Sequence, residues 1–154
     1  MKRMILAALA VLVAAPMAEA QEYSAEAVAA AVLTGYRTQD ATLIAPHSNA
    51  TNAEFFANMM NGGEHPNQLW GGTRGAAGVG WDGMILPARI NGRGDAVVPF
   101  AIEGAAGPAA LGSGVAGRYM AIVLTLDGAQ DTSWGFEDIN YIDRTAYGAM
   151  AEGR

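Results

Sequence analysis

Three observations predict an α+β domain whose N-terminal helices pack on one face of a curved antiparallel sheet. Helical periodicity occupies the first third of the chain after an apolar leader. Short apolar runs separated by glycine, proline and Asp-Gly or Asn-Gly turns occupy the rest. No helical segment separates the later runs from one another. A doubly wound sheet needs a crossover helix between parallel strands, whereas helices followed by a meander give α+β.

The leader comes first. Met1-Lys2-Arg3-Met4 is a short positive region, Ile5 to Ala15 is an unbroken apolar run of eleven, Pro16 ends it, and Ala18-Glu19-Ala20 supplies a small-x-small cleavage site. Eleven residues are too few to span a bilayer, which takes roughly 20. The expectation is a signal peptide over residues 1–20 cleaved between Ala20 and Gln21, a periplasmic or secreted product with no membrane anchor, and a single domain over residues 21–154.

Ser24 is placed to cap a helix carrying Val28, Val32 and Tyr36 on one stripe at i, i+4 and i+8, with Gly35 weakening its end. Asp40 to Ile44 reads as a short second helix stopped by Pro46. Thr51-Asn52-Ala53-Glu54 reads as a capping box opening a third, with Phe55, Phe56, Met59 and Met60 along it and Gly62-Gly63 at its end. The segment from Gly71 to Gly83 is dense in glycine and flanked by Trp70 and Trp81, and it yields no helix. Met84 to Ile90 and Ala96 to Ile102 are apolar runs around Asn91-Gly92, a hairpin signal, and Pro87 and Pro99 within them point to an edge or a bulge. Gly104 to Gly117 is a small-residue loop. Arg118 to Leu126 reads as a strand buried on both faces, Asp127-Gly128 as a turn, and Trp134 to Ile142 as a final strand. There Trp134 and Phe136 alternate before Ile139 and Tyr141 take the opposite parity, which predicts a bulge near Asp138. Thr145 to Met150 forms one helical turn.

Composition closes several chemistries. The formal net charge is −6, and with residues 1–20 set aside, which hold Lys2, Arg3 and Glu19, the remaining 134 residues carry −7, with seven arginines, fourteen carboxylates and no lysine. The chain has no cysteine, so disulfides, thiol nucleophiles and Cys-ligated metals are excluded. Without lysine there is no Schiff-base chemistry, and an acidic chain with scattered arginines makes a poor nucleic-acid partner. The two histidines, His47 and His65, flank prolines in loop-like sequence and bring no third ligand with them, so neither a metal nor another cofactor is expected. Gly112 to Gly117 spells a dinucleotide-type glycine pattern but follows a loop and precedes a strand, the reverse of the context that binds phosphate. Arg93-Gly94-Asp95 falls in the hairpin turn, and Asn49-Ala50-Thr51 is a formal sequon better explained by Thr51 as a helix cap.

The helix around Val28 to Tyr36 with the following Thr38 to Pro46, and at the other end Arg118 to Leu126 with Trp134-Gly135-Phe136-Glu137-Asp138-Ile139, resemble the NTF2-like (cystatin-like) superfamily. The segment from Asn61 to Gly83 departs from its pattern. The resemblance implies helices against a cone-like sheet and a cavity between them. It says little about the occupant, because the superfamily holds isomerases, dehydratases, cyclases and binding modules alike.

With no catalytic constellation in view, the expectation is a non-catalytic exported domain taking a small apolar or amphipathic ligand, or a protein partner, in that cavity. The candidate lining residues are Tyr36, Phe55, Met59, Trp81, Arg89, Phe100 and Tyr119, with Trp70 and Met120 as further apolar surface. The aromatics and methionines equally suit a core, and the arginine a solvated face. The second reading is a cofactor-free isomerase, dehydratase or hydrolase with Asp82 beside Trp81, or His65, as general base. The third is an interaction module whose cavity is filled by side chains. A homodimer through the sheet face is a further arrangement that relatives of this fold use.

Overall fold

The computed structural model describes residues 24–60, 66–102, 119–128 and 134–153. The leader, the Gly62-Gly63 helix end, His65, the Gly112–Gly117 pattern and Arg118 lie outside the described residues. Helices α1 (Ala25–Thr38), α2 (Ala41–Ile44), α3 (Ala50–Met60), α4 (Pro66–Gly71) and α5 (Thr73–Val79) precede strands β1 (Trp81–Ile85), β2 (Arg89–Ile90), β3 (Ala96–Ile102), β4 (Tyr119–Thr125) and β5 (Gly135–Tyr141), and α6 (Arg144–Ala151) follows. The five strands form one antiparallel sheet in the order β1-β3-β4-β5, with β2 also on β3. The protein is α+β, and among the described residues no helix is long and apolar enough to cross a membrane.

The first helix forms as its sequence dictates. Ser24 Oγ accepts from the Ala27 amide at 3.1 Å, and Val28, Val32 and Tyr36 are all buried. Its far end closes with Gln39 in the left-handed region at φ 56°, where the Gln39 amide donates to Tyr36 O and the Asp40 amide to Gly35 O. Asp40 then caps α2, its Oδ1 accepting from the Thr42 amide at 2.9 Å and the Thr42 hydroxyl at 2.6 Å. A 3-10 turn over Ala45–His47 absorbs Pro46.

The expected capping box at Thr51 is replaced by an earlier cap. Asn49 Oδ1 accepts from the Asn52 amide at 2.9 Å, so α3 starts at Ala50 and Thr51 lies exposed in its first turn. Asn49 wins because it also serves the sheet: its amide donates to Phe136 O at 3.0 Å and its Nδ2 to Glu137 Oε2. Asn52 Nδ2 adds bonds to Phe136 O at 2.9 Å and Glu137 O at 2.7 Å. These are outward-facing carbonyls of an edge strand, which would otherwise be open to pairing with another chain. Asn49 is buried and its amide committed, so the sequon there is occupied by structure.

The glycine-dense stretch is the second departure, since it is helical. Helix α5 follows α4 after one residue, giving five helices before the sheet among the described residues where the sequence suggests three. Glycine is a poor helix former, at about 1 kcal/mol less favourable than alanine. The reason it stands here is proximity. A Cβ at Gly75 would lie 1.8 Å from Leu69 O, and one at Gly78 2.5 Å from Tyr36 Cβ and Cγ.

The sheet follows the pattern more closely. Val98, Phe100, Met120, Ile122, Leu124, Phe136 and Ile139 share one apolar cluster with Val28, Val32, Leu33 and Tyr36 of α1. Strand residues of the other parity, Ala101 and Tyr119, cluster with Tyr147 of α6, so helices stand on both faces and not on one. In the last pair Val123 is opposite Asp138 but Leu124 is opposite Phe136, leaving Glu137 as the extra residue of the bulge that the parity change implied. Pro99 sits in the interior strand β3. Its carbonyl accepts from Leu86 N at 2.8 Å, and a residue's N and O point the same way in a strand, so its missing donor faces the Leu86–Ala88 break between β1 and β2. Proline is tolerated there because no strand acceptor is waiting for it. In the β2–β3 turn Asn91 Oδ1 accepts from the amides of Arg93 and Asp95, Gly94 takes φ +90°, and Arg93 Nε pairs with Asp95 Oδ2 at 2.9 Å. The Arg-Gly-Asp tripeptide is closed on itself.

The close approach at Gly78 makes a checkable claim. Gly78→Ala should lower unfolding free energy by about 1–3 kcal/mol through overpacking on Tyr36. Gly71→Ala, whose Cβ would meet nothing within 4 Å, should be neutral or slightly stabilising. Urea denaturation compares them, and equal effects would contradict the packing argument.

Candidate functional site

The structure distributes the sequence-selected residues over several places. Tyr36 (3 % exposed), Trp81 (9 %) and Phe100 (0 %) belong to the cluster between α1 and the sheet. Tyr119 lies on the opposite face, stacked on Tyr147 with ring centroids 4.4 Å apart. Arg89 is half-buried, its Nη2 donating to Met150 O at 3.4 Å. Phe55 is exposed and touches Phe56 edge-on, while Met59 lines a groove among the helices. These seven residues do not converge on one cavity between helices and sheet. That space is packed by Tyr36, Phe56 and Phe136, whose centroids are 5.9–6.3 Å apart.

Asp82 is engaged locally. Its Oδ1 accepts from the Met84 amide at 2.9 Å, and the neighbouring Trp81 Nε1 donates to Met84 O at 2.8 Å, around Gly83 at φ +95°. This is turn chemistry. The carboxylate makes itself felt on Tyr147, whose hydroxyl is pushed up to about 12 by burial first, then by Asp82 and Tyr119. Burial likewise raises the Tyr36 hydroxyl well above its ordinary value, with Arg74 opposing and Asp138 adding to the effect. Arg74 and Asp138 themselves pair through Nε–Oδ1 at 2.6 Å and Nη2–Oδ2 at 3.0 Å, tying α5 to β5. Among the described residues no group of three or more His, Asp or Glu side chains could hold a metal ion.

The groove that contains Met59 is an open depression of about 500 Å³, lined besides by Gln39, Asp40, Ala41, Thr42, Met60, Leu69 and Trp70. Its apolar wall is built from the end of α3 and from α4. Trp70 is held in place edge-on against Tyr36, centroids 5.9 Å apart at 87°. Its polar wall is the α1–α2 junction, where Gln39 holds the left-handed conformation that normally goes to glycine. Gln39 is the one non-glycine residue with positive φ among the described residues. Of the described lining residues, Asp40 alone carries charge.

Sequence reasoning found Met59 and weighed Trp70, and it placed Asp40 and Thr42 in a helix start. It did not bring them together, because only the fold of α4 against α1 does so. On the other side of α2 a smaller groove of about 230 Å³ is lined by Ala31, Thr34, Thr42, Leu43, Pro46 and His47. His47 is half-buried there, and burial holds its imidazole below the ordinary histidine value.

Comparison with protein-family models, curated proteins and solved structures returns no match for this chain.

The His47 environment sets a pH dependence. A folded-state pKa below that of the unfolded chain means that the unfolded chain takes up the proton first as pH falls. The stability contribution is therefore complete above pH 6.5 and is lost as pH drops below it. Replacing His47→Gln should flatten the fall in urea midpoint between pH 7.5 and pH 5.5, and parallel curves for the two proteins would refute this assignment.

Proposed function

We propose that this protein is an exported, non-catalytic binding domain that takes a small amphipathic molecule in the groove between Gln39-Asp40-Thr42 and Met59-Met60-Leu69-Trp70. The groove itself carries the reading. Its volume of about 500 Å³ falls in the range of small-molecule sites, which pair a mostly apolar wall with a few placed polar groups. Methionine side chains are adaptable apolar surface suited to such a wall. Gln39 adds support, since a left-handed non-glycine residue costs roughly 1–2 kcal/mol, and such cost is characteristically kept where a side chain is needed. The site stands beside the helix–sheet interface expected from the NTF2-like resemblance. We retain that resemblance as a proposal for the arrangement of helices on the sheet. Under this reading the aromatic cluster around Tyr36 occupies the place of the family's cavity and supports the groove from beneath.

The test is a titration of the mature chain with N-phenyl-1-naphthylamine, a neutral apolar fluorophore. Saturable binding is expected, weakened about tenfold or more by Trp70→Ala and by Met59→Gln through loss of apolar contact area. Gln39→Gly should raise stability by about 0.5–1 kcal/mol while weakening the probe. Probe binding insensitive to all three changes would remove the groove from the account. For export, N-terminal sequencing of the protein recovered outside the cytoplasm should begin at Gln21, and an intact Met1 would defeat that part.

A further inference from the structure

Resting on the groove reading above, we infer that the ligand is an amphipathic cation, an apolar chain or ring bearing a single ammonium group, with Asp40 as its counter-charge. The groove joins three features. First, its wall of Met59, Met60, Leu69 and Trp70 is largely apolar and accepts a hydrocarbon body. Secondly, the Asp40 carboxylate is the one charged group among the described residues that line it. Oδ1 is taken by the Thr42 amide and hydroxyl, and Oδ2 has no hydrogen-bond or ion-pair partner among the described residues. Thirdly, the nearest cation along the chain is directed elsewhere. Arg37 reaches toward Gly83 of β1, with Nη1 3.3 Å from where a Cβ on Gly83 would stand.

The groove thus combines a half-used carboxylate with a half-buried indole, and cations are attracted both to carboxylates and to aromatic faces. The sign of the whole molecule agrees. With a formal charge of −6, the protein draws cationic solutes toward its surface and repels anionic ones. An anionic amphiphile, such as a fatty acid, would meet Asp40 with like charge and with no arginine among the described lining residues to offset it. The geometry therefore selects against anionic amphiphiles.

Calorimetric titration of the mature chain with octyltrimethylammonium, octanol and octyl sulfate separates charge from hydrocarbon. The cation should bind at least tenfold tighter than octanol, and octyl sulfate weakest of the three. Asp40→Asn keeps a good helix cap and removes the charge. It should bring the cation to the affinity of octanol, and Asp40→Ser, a second neutral cap, should do the same. High salt should weaken the cation and spare octanol. Equal binding of cation and octanol, both lost in Trp70→Ala, would overturn the cation inference and leave the groove intact. Failure of all three to bind would overturn the groove reading and this inference together.

Discussion

The ring of Tyr36 meets three other aromatic rings edge-on: Phe56 of α3, Trp70 of α4 and Phe136 of β5. Each such pair is worth about 0.5–1.5 kcal/mol beyond the area it buries. A fourth element, α5, comes against the same ring, and it does so only because residue 78 has no side chain. One tyrosine on the last turns of α1 therefore sets where three helices and the edge strand stand. Its ring has no room to move without loosening all of them. The groove is the outer consequence of this arrangement. Trp70 forms its wall because Tyr36 fixes one side of the indole, and the left-handed turn at Gln39 brings Asp40 and Thr42 to face it a few residues later.

At the opposite end of α3 the polar counterpart of this cluster is the pair Asn49 and Asn52. Hydrogen bonds in the buried interior are modest gains when made, about 1 kcal/mol each, and costly when left unmade. The Glu137 bulge disrupts the ladder of β5 and turns carbonyls outward, and the two asparagines receive them. The bulge and the start of α3 are thus one solution to a single problem. The edge strand is closed to pairing, and the helix bearing Met59 and Met60 is anchored at its first turn.

How much of this was legible in the sequence follows from where each cause resides. The Ser24 cap, the Val28, Val32 and Tyr36 stripe and the Asp40 cap are local, and the sequence reads them directly. The bulge is legible too, because the shift in parity between Phe136 and Ile139 has no other economical explanation in a strand. Helices α4 and α5 are not, since Gly75 and Gly78 look like breakers until Leu69 and Tyr36 are seen pressed against them. Asn49 displaces Thr51 as the cap for a partner 88 residues away, which no local pattern encodes. The site behaves likewise. Met59 shows its apolar character and Asp40 its capping role, but their meeting across a groove depends on the tertiary path of α4. Tyr36, Trp81 and Phe100 share the residue types of a pocket lining and serve as core.

The central claim is that the groove at the α1–α2 junction, positioned by the Tyr36 cluster, is where ligand binds. Methyl spectra of [13C-methyl]methionine-labelled mature protein during addition of octyltrimethylammonium address it directly, because methionines stand both in the groove and well away from it. Met59 and Met60 lie in the groove, whereas Met84 is on β1, Met120 on β4 and Met150 on α6. The account predicts saturable shifts of the Met59 and Met60 methyl signals with the other three unmoved. Shifts confined to Met84, Met120 or Met150, or no shift at all, would contradict it.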